Sequence, residues 1–135
     1  EVASLYYHPN VKAYVSATRG EGYGLPVIDA AVAGLPIVIT GWSGHFEFLN
    51  KNLVSCVDYN LKSINKSRHD GRIFLDNFKW AEPLKTSFCR NILKVYEEYE
   101  KSKIDARKLQ KQVIQNFHKN QIKKMYDKII FGGKI

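Results

Sequence analysis

Between Val11 and Thr40 the chain passes from a β-rich run to a glycine loop, to a helix, and back to a β-rich run. Val11-Lys12-Ala13-Tyr14-Val15-Ser16 follows the turn signal His8-Pro9-Asn10 and reads as a short strand. Gly20-Glu21-Gly22-Tyr23-Gly24 is a loop. Leu25 to Ala33 reads as a buried helix, with Pro26 suited to its first turn and Gly34 to its stop. Pro36-Ile37-Val38-Ile39-Thr40 is continuously apolar, as in a strand covered on both faces. A short helix over His45–Leu49 and a third strand over Leu53–Val57 follow. Strand and helix alternating through tight links is the βαβ pattern, and it predicts a parallel sheet. The expected fold class is α/β: part of a Rossmann-like parallel sheet with a C-terminal helical extension.

Outside this unit the signals change. Glu1 to Tyr7 has helical spacing. Asn60 to Lys79 is polar and irregular, with one weak strand at Arg72-Ile73-Phe74-Leu75. Trp80-Ala81-Glu82-Pro83 marks the start of a helical tail, with Pro83 opening its first helix. Apolar residues then recur at three- and four-residue spacing in three sets. The sets are Leu84, Phe88, Ile92, Val95, Tyr96 and Tyr99; Ala106, Leu109, Val113 and Phe117; and Ile122, Met125, Tyr126, Ile129 and Ile130. Core packing is the expected role of each stripe. Breaks are expected near Ser102 and His118–Asn120, the second weak enough for the last two helices to be one. The expected domains are 1–81, a partial ligand-binding unit, and 82–135, basic helices on or beside it.

The net charge of +8 lies almost wholly in the second part. Such a tail faces an anionic membrane, a phosphorylated substrate or nucleic acid, or is a solvated helix face. Few aromatics interleave with its lysines, which argues against nucleic acid. The most apolar stretch, Ala30–Thr40, is far short of the ~20 residues of a spanning helix. The start has neither the basic nor the long apolar segment of a signal peptide. Cys56 and Cys89 form no CxxC and are expected to be free, largely buried thiols in a reducing, cytoplasmic setting.

The chemistry concentrates between Arg19 and Asp29. A glycine loop opening a helix frees backbone N–H groups, and these favour an anion, most often phosphate. The spacing fits neither a Walker loop nor a dinucleotide fingerprint. Glu21 within such a loop would repel phosphate, so neutral sugar hydroxyls are its natural partners. Asp29, about one turn into the helix, can accept from a second set of hydroxyls such as a ribose. Two carboxylates bracketing a phosphate loop fit a ligand of the form sugar–phosphate–nucleoside. Arg19 is balanced between touching diphosphate and being a solvated loop residue. His45 is weighed toward packing or capping over ligand contact.

The run Glu21-Gly22-Tyr23-Gly24-Leu25-Pro26-Val27-Ile28-Asp29-Ala30-Ala31-Val32-Ala33-Gly34-Leu35-Pro36-Ile37-Val38 resembles the E-G-F-G-L-P-x-x-E-A-x-A-x-G-x-P-V-V signature of family-4-type glycosyltransferases. Trp42-Ser43-Gly44-His45-Phe46-Glu47-Phe48-Leu49 resembles their second glycine loop and its acidic helix. The resemblance covers about residues 10–60 and implies the C-terminal, donor-binding domain of a two-Rossmann-domain (GT-B) fold. It implies a retaining transfer in which the leaving diphosphate helps to deprotonate the acceptor. Glu21 then takes the catalytic position on the donor sugar. Gly22, Tyr23, Gly24 and Leu25 hold sugar or diphosphate, with Arg19 and His45 as further substrate contacts. Asp29 stands where the family has a ribose-binding glutamate, one methylene shorter. No cofactor and no metal are implied; the donor is a UDP- or GDP-linked sugar, and no Asp-x-Asp occurs. The acceptor is a glycan, lipid or protein. The basic Arg/Lys pair and the acceptor domain of the family lie upstream of this motif, so an N-terminal domain or partner chain is expected. Peripheral membrane contact is expected and nucleic acid is not. Two other classes stay open: a nucleotide-sugar-binding module without turnover, and a basic helical protein that binds membrane or nucleic acid.

Overall fold

The computed structural model describes residues 2–132. The chain is α/β. A parallel sheet is built from β1 (Tyr14–Ser16), β2 (Ile37–Thr40) and β3 (Ser55–Val57), in the order β1-β2-β3. The register pairs Val15 with Val38 and Ile39 with Cys56. Helix α1 (Val2–Tyr6) precedes the sheet, Glu1 lying outside the described residues, and α2 (Leu25–Val32) crosses from β1 to β2. The sequence placed these elements correctly within a few residues, and the expected short helix is a 3-10 turn over Gly44–Glu47.

Alternation along β2 sends its side chains to two cores. Ile37 and Ile39 pack with Val27 and Ala31 of α2, and with Leu109 and Val113 of α4 (Tyr99–Phe117). Val38 faces the other way, with Val57 and with Val95 of α3 (Lys85–Glu97). Each face of the central strand is thus covered by helix, as parallel strands require. Helix α2 stops at Gly34, whose backbone is left-handed at φ 72°. The Gln110 side chain of α4 closes that end, its Nε2 donating to the Val32 carbonyl at 2.6 Å.

Five readings are corrected. Asn60–Lys79 is not an irregular stretch with one strand at Arg72–Leu75. An antiparallel hairpin of β4 (Tyr59–Ser63) and β5 (Lys79–Pro83) brackets it. Residues 72–74 bend because Asp70 Oδ1 accepts the N–H groups of Arg72, Ile73 and Phe74 at 2.9, 2.8 and 3.0 Å. Trp80–Pro83 therefore belongs to a strand, and Leu84, not Pro83, precedes the first turn of α3. The break after α3 falls at Glu98, with Ser102 inside α4, and His118 at ψ 141° separates α4 from α5 (Lys119–Phe131). The first two stripes reach the core, save Tyr96 of α3, which is exposed, but the third does not: Met125, Tyr126, Ile129 and Ile130 of α5 are exposed. Finally, both cysteines are free, yet Cys89 is exposed and Cys56 only half-buried.

Candidate functional site

Two loops leave the C-terminal ends of β1 and β2, the edge where open parallel sheets gather ligands. The first, residues 17–24, runs into α2; the second, 41–43, runs into the turn that carries His45. They are fastened to each other. Ser43 Oγ accepts the Glu21 N–H at 2.9 Å and donates to the Glu21 carbonyl at 2.6 Å. The Gly44 N–H adds a bond to the same carbonyl at 3.2 Å. Glycine is required at 44, because a Cβ there would run into the Gly22 carbonyl oxygen.

Ser43 bears a cost for this clasp. Its backbone lies at φ 103° and ψ −173°, a region essentially reserved for glycine. Its two bonds to Glu21 oppose that strain, so a strained residue sits at the centre of the site. Sequence reasoning passed over Ser43. The signal available was its place, after β2, matching the place of the glycine loop after β1.

Beyond the clasp the first loop keeps its donors free. The N–H groups of Gly22, Tyr23, Gly24 and Leu25 have no protein acceptor among the described residues. Gly24, left-handed at φ 87°, turns the chain into α2, and Pro26 in the first turn has no N–H to offer. Consecutive free amides at a helix N-terminus form a concave anion site. Tyr23 is held by its ring, 5.2 Å from that of Phe48, which itself meets Phe117 edge-on. Asp29 lies on the exposed face of α2, one turn beyond Leu25. Glu21 is half-buried, its backbone fixed by the clasp. Thus Glu21 to Leu25 form one loop, with Asp29 a turn away on the helix they open.

Arg19 is turned toward the hairpin. Its Nε and one terminal nitrogen bond the two Glu82 oxygens at 2.7 and 2.8 Å, and its guanidinium stacks 4.7 Å over Trp80. The pairing pulls the Glu82 carboxyl below its ordinary pKa. The Arg19 carbonyl also accepts the Ala81 N–H at 3.0 Å, and Trp42 of the second loop packs its ring 5.6 Å from Tyr59. Both loops are therefore braced against a hairpin that the sequence did not disclose.

His45 is fully buried beneath Gly24. Its Nε2 lies 3.1 Å from the Thr40 carbonyl, which can only accept, so this nitrogen carries the proton. Its Nδ1 and the Thr40 hydroxyl lack partners among the described residues. Burial pushes the imidazole below its ordinary pKa, against smaller opposing effects of the Thr40 carbonyl and the Glu21 charge. As pH falls below about 6.5 the unfolded chain gains a proton that the folded chain resists. Stability is therefore full above that pH and declines as pH falls toward the folded-state value. Urea midpoints measured between about pH 8 and pH 5 should show this decline, and His45→Gln should flatten it. Parallel curves for the two proteins would remove His45 as the cause.

Among the described residues, no group of three or more His, Cys, Asp or Glu side chains is arranged to hold a metal ion. No helix among them is long and apolar enough to cross a membrane. In comparisons with known proteins, neither the curated proteins nor the solved structures gave a match. One family model, described as family 4 glycosyltransferase in conflict systems, matches residues 10–122.

Proposed function

The chain belongs to the family 4 glycosyltransferases in conflict systems, and from that premise we propose that it holds the nucleotide-sugar donor of a retaining sugar transfer. The observation that carries this reading is the run of free amides from Gly22 to Leu25 at the head of α2. A diphosphate is the ligand that such donors suit, since each amide offers a hydrogen bond and the helix dipole favours the charge. Glu21 accepts hydroxyls of the donor sugar near the reacting carbon. Asp29 accepts the ribose hydroxyls. Fixed donors aimed at the departing diphosphate stabilise the charge that develops as the glycosidic bond breaks. The leaving phosphate oxygen takes the proton of the attacking acceptor hydroxyl, on the face from which it departs. The donor is a UDP- or GDP-linked hexose, no metal is used, and the acceptor is a glycan, lipid or protein presented by an N-terminal domain or partner chain in the cytoplasm.

Thermal melting with a panel of UDP-, GDP- and ADP-sugars tests the donor site. Ligand at about a hundred times its dissociation constant adds about 2.7 kcal/mol, roughly 9 °C for a chain of this size. One nucleotide class should give that shift, and Glu21→Ala and Asp29→Ala should each diminish it. A folded chain that none of the panel stabilises overturns donor binding by this chain.

A further inference from the structure

A cavity of about 280 Å³ opens at the other end of the sheet from the glycine loop. It is bounded by the links that enter β1 and β2, with Tyr7 and His8 in the first and Gly34 in the second. One stripe of α4 forms its wall: Tyr99, Lys103, Arg107 and Gln110 follow one another at four-, four- and three-residue steps. No carboxylate among the described residues lines it. Lys103 and Arg107 stand on successive turns, where like charges repel. Neither forms an ion pair among the described residues. Lys103 Nζ rests against Tyr99, 3.4 Å from its hydroxyl and 5.6 Å over its ring. The His8 Nδ1 accepts the Asn10 N–H at 3.2 Å, so the neutral ring keeps its proton on Nε2, a donor with no acceptor among the described residues. Tyr7 is 64% exposed and has no ring partner among them.

We propose that this cavity binds a nucleoside monophosphate, at a site separate from the glycine loop. Lys103 and Arg107 take the phosphate between them, so their mutual repulsion becomes shared attraction for one ligand, and His8 Nε2 adds a neutral donor. A tyrosine ring offers a face on which a base stacks, and the free ring of Tyr7 lies at the same cavity. Gln110 is held by its bond to the Val32 carbonyl, so the end of the wall is fixed before any ligand arrives. The volume lies near the lower bound of ~300 Å³ for ligand pockets, which suits a single nucleotide better than a nucleotide-sugar. The cavity shares no residue with the donor loop, so its occupancy holds or fails independently of donor binding.

Heteronuclear NMR of the full chain, titrated with AMP, GMP, CMP and UMP, tests it. At least one nucleotide should shift the amide signals of Tyr7, His8 and Gly34 to saturation. Lys103→Gln and Arg107→Gln should each weaken that binding about tenfold, for one charge-assisted hydrogen bond apiece. Tyr7→Ala should weaken it about fivefold or more. Arg107 and Tyr7 are exposed, so the melting curves of those two variants should match the parent protein. Glu21→Ala should leave the binding unchanged. No response of these amides to any of the four nucleotides would overturn the proposal. So would inorganic phosphate that binds as tightly as the nucleotides, or an affinity that survives both Arg107→Gln and Tyr7→Ala. Shifts confined to Gly22–Leu25 and removed by Glu21→Ala would also overturn it, by giving the nucleotide to the donor loop.

Discussion

Gly44→Ala should lower stability by about 3 kcal/mol, or roughly 10 °C in melting temperature. The added methyl meets the Gly22 carbonyl oxygen, and nearby the Gly22 carbon at 2.9 Å and the Glu21 oxygen at 3.0 Å. All three are backbone atoms of the opposing loop, so no rotamer change relieves the clash. The loops must separate, and separation breaks the bonds of Ser43 and Gly44 to Glu21. Donor affinity should therefore fall together with stability. Gly20→Ala is the control, because a Cβ at that position meets nothing within 4 Å. Melting by circular dichroism decides the matter: equal melting temperatures for the two variants would mean that the loops are not in contact.

The second large effect is an inversion at Ser43. In an ordinary loop, alanine is more stabilising than glycine because it restricts the unfolded chain. Here the φ of 103° penalises any residue with a Cβ by about 1–3 kcal/mol. Both substitutions remove the two hydroxyl bonds to Glu21, at about 1 kcal/mol each. Ser43→Ala keeps the strain and should lose about 2 kcal/mol. Ser43→Gly sheds the strain and should lie within about 1 kcal/mol of the parent. Urea unfolding of the two variants checks the order, and an alanine variant more stable than the glycine variant would remove the strain argument.

The sequence disclosed the parallel unit because its information there is local. Leu25–Val32 and Ile37–Thr40 each carry one period and are bounded by Gly24 and Gly34, both left-handed. It withheld the hairpin because β4 is largely exposed, so burial imposes no clean alternation on Tyr59–Ser63. The pairing of β4 with β5, such as Leu61 with Ala81, is a long-range event, and the Asp70-Gly71 pair between them sits in a link too long to be a tight hairpin turn. The α5 stripe shows the opposite failure: its helical period was legible, but period alone says which residues share a face and not what covers that face. In the candidate site, the glycine loop and the helix it opens were readable from residue type and spacing. The Ser43 clasp was not, since a serine beside a glycine gives no sign of a positive φ, and Arg19 could be placed only once Glu82 and Trp80 had been brought beside it.

The core that seats the glycine loop draws on both halves of the chain: Val27, Ile37 and Ile39 close against Leu109 and Val113. During synthesis the loop, the first helix after it and all three sheet strands leave the ribosome well before that cover exists. One side of the nascent sheet is then bare apolar surface, the condition in which growing chains aggregate or engage chaperones. The edge that carries the glycine loop thus acquires its fixed shape only after Leu109 and Val113 have been made.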